Sequence, residues 1–150
     1  MKTFKWIAAA SLAFVFIACC PCRKNKSALI PFTGTEWKLA QLYGEGVESN
    51  NYRVTFAADG SLNGIAECNN FAGTFTQNVH QIKVSENLVS TRMFCVDNQQ
   101  REDKFLKMLS QVDTYSIDGM RLMLIRNGSV LAIFNPVGEY QVINPKKRNK

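Results

Sequence analysis

The chain has 150 residues, 46% hydrophobic and 20% charged, with a formal net charge of +6. This composition suits one globular domain and excludes a collagen-like or largely disordered chain. The positive charge sits at the ends: between Ser27 and Pro145 nine basic residues stand against twelve acidic ones, so the body lacks the basic stripe of a nucleic-acid binder.

Lys2 and Lys5 precede an apolar run, Trp6 to Ala18, broken only by Ser11. A bilayer span needs about 20 apolar residues, so 1–18 reads as a secretory signal peptide. Phe16-Ile17-Ala18-Cys19 resembles a lipobox, which is cleaved before a lipidated cysteine. The usual pattern has Leu first and Ala or Ser second; Phe16 and Ile17 depart from it. Cys19 is therefore the expected lipid attachment site and 19–32 a lipidated tether. Each buried methylene contributes about 0.8 kcal/mol, so two or three acyl chains make a durable anchor. The expected location is the bacterial cell envelope, lipid-anchored, at the outer membrane. The extension 137–150 ends in Lys146, Lys147, Arg148 and Lys150, which reads as a solvated tail or one drawn to an anionic membrane surface.

The remaining segment, 33–136, reads as one domain. Trp37-Lys38-Leu39 opens a strand. Tyr52, Val54 and Phe56 alternate with Arg53 and Thr55, and Asp59-Gly60 marks a hairpin turn. Leu62 to Cys68 returns, with Gly64 marking a bulge or a close backbone approach. Phe71 to Phe75, Ile82, Val84 and Leu88 to Cys95 are further extended segments. Phe105, Met108, Leu109 and Val112 share one helical face. Asp97 or Asn98 is the expected cap, and Glu102 and Asp103 complement the helix dipole. Strands around Tyr115 to Ile117, Met120 to Ile125 and Val130 to Phe134 follow, joined by Asp118-Gly119 and Asn127-Gly128. The expected fold is α+β: an antiparallel curved sheet or partly open barrel with one packed helix.

Cys68 and Cys95 are expected to be oxidised in an exported protein. Cys20 and Cys22 leave the connectivity open. A Cys-His-Asn set from Cys68 or Cys95, His80 and Asn69 lacks support, because His80 falls in a polar turn-like segment. No metal-ligand spacing, phosphate loop or redox motif occurs, so neither catalysis, a metal nor a cofactor is expected. Trp37, Phe56, Phe71, Phe75 and Phe134 either fill the sheet interior or enclose a small apolar ligand.

Gly34-Thr35-Glu36-Trp37-Lys38-Leu39, the segment Glu67-Cys68-Asn69-Asn70-Phe71-Ala72-Gly73-Thr74-Phe75, and Thr91-Arg92-Met93-Phe94-Cys95 resemble, in order, three motifs of the META domain, the family of HslJ. Glu67 stands where that family usually has Gly, and Phe94 where Ala is common. The resemblance implies a barrel-like α+β domain, often in envelope lipoproteins, with members linked to heat shock, antibiotic tolerance, motility or secretion. It implies no catalytic residues, and assigns Asn69 and Gly73 to turn geometry. The functional expectation is a non-catalytic envelope lipoprotein with an accessory or stress-related role, acting through contacts with an unidentified envelope protein and not with nucleic acid. The alternative is a carrier or sensor of a small apolar ligand or lipid tail inside the barrel.

Overall fold

Alternation of apolar and polar residues decides which side of each strand faces inward. In the computed structural model, which describes residues 30–93 and 99–138, β1 (Glu36–Leu42) buries Trp37, Leu39 and then Leu42. The switch from odd to even positions has a local cause. Leu39 pairs with Phe134 and Gln41 with Ile133, which leaves Ala40 as a bulge. One extra residue reverses the facing of everything after it.

A short β2 (Glu45–Gly46) folds back on β1. β3 (Tyr52–Phe56), β4 (Ser61–Ala66), β5 (Asn69–Asn78) and β6 (Gln81–Val84) follow as antiparallel neighbours. β7 (Val89–Ser90) adds two residues beside β5, and α1 spans Gln99–Gln111. β8 (Thr114–Asp118), β9 (Arg121–Arg126) and β10 (Ser129–Pro136) form the expected meander. Its second turn has Asn127 at φ 49° and Gly128 at φ 77°, the two positive dihedrals that match hairpin twist.

The sheet is not left partly open. β10 pairs with β1 from Trp37↔Pro136 to Leu42↔Ala132, closing β1, β3, β4, β5, β6, β8, β9 and β10 into an eight-stranded barrel. Closure removes the unpaired edges that a curved sheet would expose. The thinnest seam joins β6 to β8, where Ile82 N donates to Asp113 O at 3.0 Å and Tyr115 N to His80 O at 2.8 Å.

The barrel interior is filled. Trp37, Leu39, Phe56, Leu122, Leu124 and Phe134 have no exposed surface. From α1 the expected face, Phe105, Met108 and Leu109, is buried against them, together with Val112, which falls just past the last helical residue. The Phe105 ring lies 5.1 Å from Tyr52, 5.8 Å from Phe71 and 6.3 Å from Phe134. Elsewhere Phe32 stacks on Phe56 at 4.6 Å and Tyr115 at 4.1 Å.

Two strand glycines explain themselves by approach. A Cβ on Gly64 would run into the Arg53 carbonyl and lie 2.7 Å from the Phe71 ring. Gly73 lies under Leu88 in mid-strand; it does not make a turn, as the motif had implied. The expected strand Leu62 to Cys68 stops at Ala66, and among the described residues the extended segment Leu88 to Cys95 contributes only β7. Cys95, Phe94 and the capping candidates Asp97 and Asn98 lie outside the described residues, as do Cys19, the signal segment and the basic tail.

Candidate functional site

The polar features of the domain gather where β1, β3 and β4 meet the start of α1. Leu42 leads into a turn with Tyr43 at φ 51° and Gly44 at φ 83°, which swings β2 outward. The chain then crosses irregularly from Val47 to Asn51 and re-enters the barrel at Tyr52. Strand alternation points Tyr52, like Val54 and Phe56, inward. A cleft of about 340 Å³ opens between β2 and α1. Its apolar wall is Leu39, Leu42 and Val47, with Tyr52 and Glu67 among the polar residues lining it, while Arg101 and Lys104 approach from α1.

Glu67 and Cys68 form the two-residue connection between Ala66 and Asn69, which pair directly. Such a connection demands a positive φ, and Glu67 adopts 60°. A side chain in this region costs about 1–2 kcal/mol relative to glycine. The place where the META resemblance has Gly is therefore geometrically demanding, and this chain meets it with a carboxylate. Ser49 Oγ donates to Glu67 Oε1 at 3.1 Å. Glu67 Oε2 and Tyr52 Oη are both buried, and neither makes a well-formed hydrogen bond. They are nonetheless near enough to influence each other. Burial first, then the charge and hydrogen-bonding pull of Glu67, raise the Tyr52 phenol well above its ordinary value, with Arg101 opposing. Tyr52 is thus a neutral hydroxyl at any physiological pH.

One residue along, Asn69 is not a turn residue as the resemblance had implied. It is 1% exposed on β5, and its amide is fully engaged. Nδ2 donates to Glu102 Oε2 at 2.8 Å, while Oδ1 accepts from Thr91 Oγ1 at 2.9 Å and from Met93 N at 2.7 Å. Asn69, Thr91 and Met93, three separate motif positions, thus converge on one clamp that ties residues 91–93 to the barrel. Gly34, Thr35 and Trp37 serve another. Gly34 (φ 79°) donates its N–H to Phe56 O at 2.8 Å, Thr35 Oγ1 to Pro31 O at 2.7 Å, and Trp37 Nε1 to Phe32 O at 3.0 Å. These bonds pin the entering chain across the barrel.

The Cys-His-Asn set is not assembled. Asn69 starts β5 and Cys68 immediately precedes it, whereas His80 follows the far end of the strand, roughly 30 Å away at the rise of an extended strand. Cys68 is disulfide-bonded; the other four cysteines lie outside the described residues. Glu102 is expected to complement the helix dipole, a role ordinarily taken by an exposed side chain. It is instead 2% exposed. Its position one residue before an exposed Asp gave no hint of this; only its helical offset of three from Phe105 did.

The META domain profile matches residues 30–137. The chain belongs to the META domain family. Among solved structures this META domain is similar to a protein from Burkholderia xenovorans (18% identity, TM-score 0.59), covering 79% of this chain and 99% of that one. It is also similar to a DUF4847 family protein from Bacteroides vulgatus (17% identity, TM-score 0.55), covering 73% and 96%. At these identities the likeness is one of fold. No curated protein matches the chain in sequence.

Proposed function

We propose that this META domain is a non-catalytic, lipid-anchored component of the bacterial envelope, held at the outer membrane through Cys19 and acting by contact with another envelope protein. The observation that carries this reading is the closed barrel with its interior occupied by side chains. A filled barrel is a rigid scaffold whose outer surface and ends are what it offers to a partner. The same packing weighs against the carrier reading, since a ligand of drug-like size needs about 300 Å³ or more and Trp37, Phe56, Phe105 and Phe134 occupy the space it would take. The separation of Cys68 from His80 supports the absence of a thiol nucleophile. A stress-related role follows from the family alone. A disulfide between Cys68 and Cys95 completes the proposal, because both motif segments flank the Asn69 clamp.

The test is mild crosslinking in the native envelope, comparing wild type with Cys19→Ser. The reading expects acyl labelling and a reproducible crosslinked partner, both lost in the variant. Native mass spectrometry showing a stoichiometric lipid retained in the delipidated domain would replace it with the carrier reading.

A further inference from the structure

The described chain leaves the barrel by the same end at which it enters. Gly34 N donates to Phe56 O and Val137 N to Glu36 O, both at 2.8 Å, and Trp37 pairs with Pro136. Two hairpin tips share that end. Phe32, buried there, stacks on Tyr115 at 4.1 Å. Tyr115 Oη in turn donates to Val79 O at 2.8 Å, in the turn between β5 and β6. The pairings Leu122↔Phe134 and Asp118↔Arg121 set the β8–β9 turn, with Met120, beside Pro136.

Both tips present apolar side chains to solvent. Val79 is 76% exposed, the most of any large apolar side chain among the described residues, and Met120 is 42% exposed. Val79 also has φ 54°, a region that β-branched residues rarely enter. Asn or Gly would make this turn with less strain and no exposed apolar surface. Neither turn geometry nor core packing therefore accounts for the valine.

Charge is distributed along the same axis. Arg23, Lys24 and Lys26 precede Ile30 by four to seven residues, and Lys146, Lys147, Arg148 and Lys150 follow Gly138 by eight to twelve. These cations are thus attached to one end of a body with an acidic excess. The rim itself carries Asp59, Asp118 and Arg121, so attraction to an anion rests on the flanking segments. Exposed Glu45 and Glu48 lie at the far end, where β2 follows Leu42. Each cation close to an anionic lipid surface strengthens association about fivefold. Cys19 stands eleven residues before Ile30, a reach of at most about 40 Å. An anchor there holds the tips at an effective concentration at which weak contacts suffice.

We propose that this end of the barrel docks on an anionic phospholipid surface, with Val79 and Met120 entering the interface and the flanking cations meeting the headgroups. The inference deepens the anchoring at Cys19 and rests on it for the tether. It also fixes which way the barrel stands. The cleft between β2 and α1 and the clamp around Asn69 face away from the membrane, toward a partner.

The test uses the full chain, expressed with its own N-terminal segment in a bacterium and mixed with vesicles of phosphatidylcholine, alone or with phosphatidylglycerol. The acyl chains carry bromine, which quenches tryptophan on contact. Trp37 has no exposed surface, so an added tryptophan reports its own depth once wild-type quenching is subtracted. Val79→Trp and Met120→Trp should be quenched in the anionic vesicles. Val130→Trp, exposed at the opposite end of β10, should not. Met120 has no left-handed backbone, so its variant decides if Val79→Trp fails to fold. Flotation with neutral vesicles reads the anchor separately. Flotation without quenching at 79 and 120 would overturn the docking and leave the anchor standing. Quenching on anionic vesicles without flotation on neutral ones would remove the anchor and keep the docking. Equal quenching at 130, or equal quenching with the two lipids, would overturn the docking. Binding to neither vesicle would overturn both.

Discussion

Asn69 Nδ2 donates to Glu102 Oε2 across 2.8 Å, joining the first residue of β5 to the first turn of α1 over 33 positions of sequence. Both residues are at most 2% exposed. The helix is thereby fixed to the barrel at the end where it begins, and its apolar face does the rest.

Removing one partner leaves the other buried and unmatched. Asn69→Ala should destabilise by about 2–4 kcal/mol, and Glu102→Gln by less, because an acceptor for Asn69 survives. Denaturant unfolding of both single variants and the double variant should give a coupling energy of at least about 1 kcal/mol. Additive losses would show that the bond is incidental.

Gly64 and Gly73 should differ in their tolerance of a methyl group. At Gly64 the added Cβ meets the Arg53 carbonyl, which the β3–β4 pairing holds in place. At Gly73 it meets the tip of Leu88, a half-buried side chain outside the strands. Gly64→Ala should cost about 3 kcal/mol or more and Gly73→Ala about 1 kcal/mol, read from urea midpoints.

Glu67→Gly should raise stability. The left-handed backbone relaxes by about 1–2 kcal/mol, against a glycine entropy cost of about 0.4–1 kcal/mol, and a buried carboxylate oxygen disappears. A lower melting temperature would mean that the Ser49–Glu67 bond outweighs the strain.

Asp113 supplies the pH dependence at the β8–β10 end. Asn127 N donates to its Oδ2 at 2.8 Å, and Thr114 Oγ1 to its Oδ1 at 3.0 Å. The Asn127 bond, more than the others, holds its carboxyl below the ordinary 3.8. A depressed folded value means the contribution is present above 3.8 and fades as pH falls through the folded value. Asp113→Asn should therefore melt lower than wild type at pH 7, with the gap closing as pH falls below 3.8 and through the lower folded value. A gap that persists there would assign the effect to shape, not charge.

If Cys68 pairs with Cys95, the bridge closes a loop of 28 residues and contributes about 3.6 kcal/mol in the chain-entropy model. Cys68→Ser and Cys95→Ser should lower the melting temperature alike, with reductant lowering wild type to match. Unequal losses would point to Cys20 or Cys22 as the partner.

Local chemistry made much of this domain readable. Alternation at Tyr52, Val54 and Phe56 set an inward face, Asn127-Gly128 set a turn, and the offsets from Phe105 to Val112 set the helix face that is buried. The helical pattern also contained Glu102, but a carboxylate three residues from Phe105 reads as surface until a partner is known. Asn69 resembled a turn residue for the same reason: its side-chain bonds go to residues 22 to 33 positions away.

The sequence by itself determined what depends on neighbours in the chain: strand facing, turns, the helix, and the ordered motifs that carry the family resemblance. Tertiary structure decided what depends on distant segments meeting. β10 returned to β1 and closed the barrel, an outcome no local pattern encodes, since an open edge and a paired one have the same alternation. The clamp around Asn69 and the approach of Tyr52 to Glu67 beside a cleft arose the same way. Hydrogen bonds act over about 3 Å, so the value of a polar side chain is set by what folding brings within that reach.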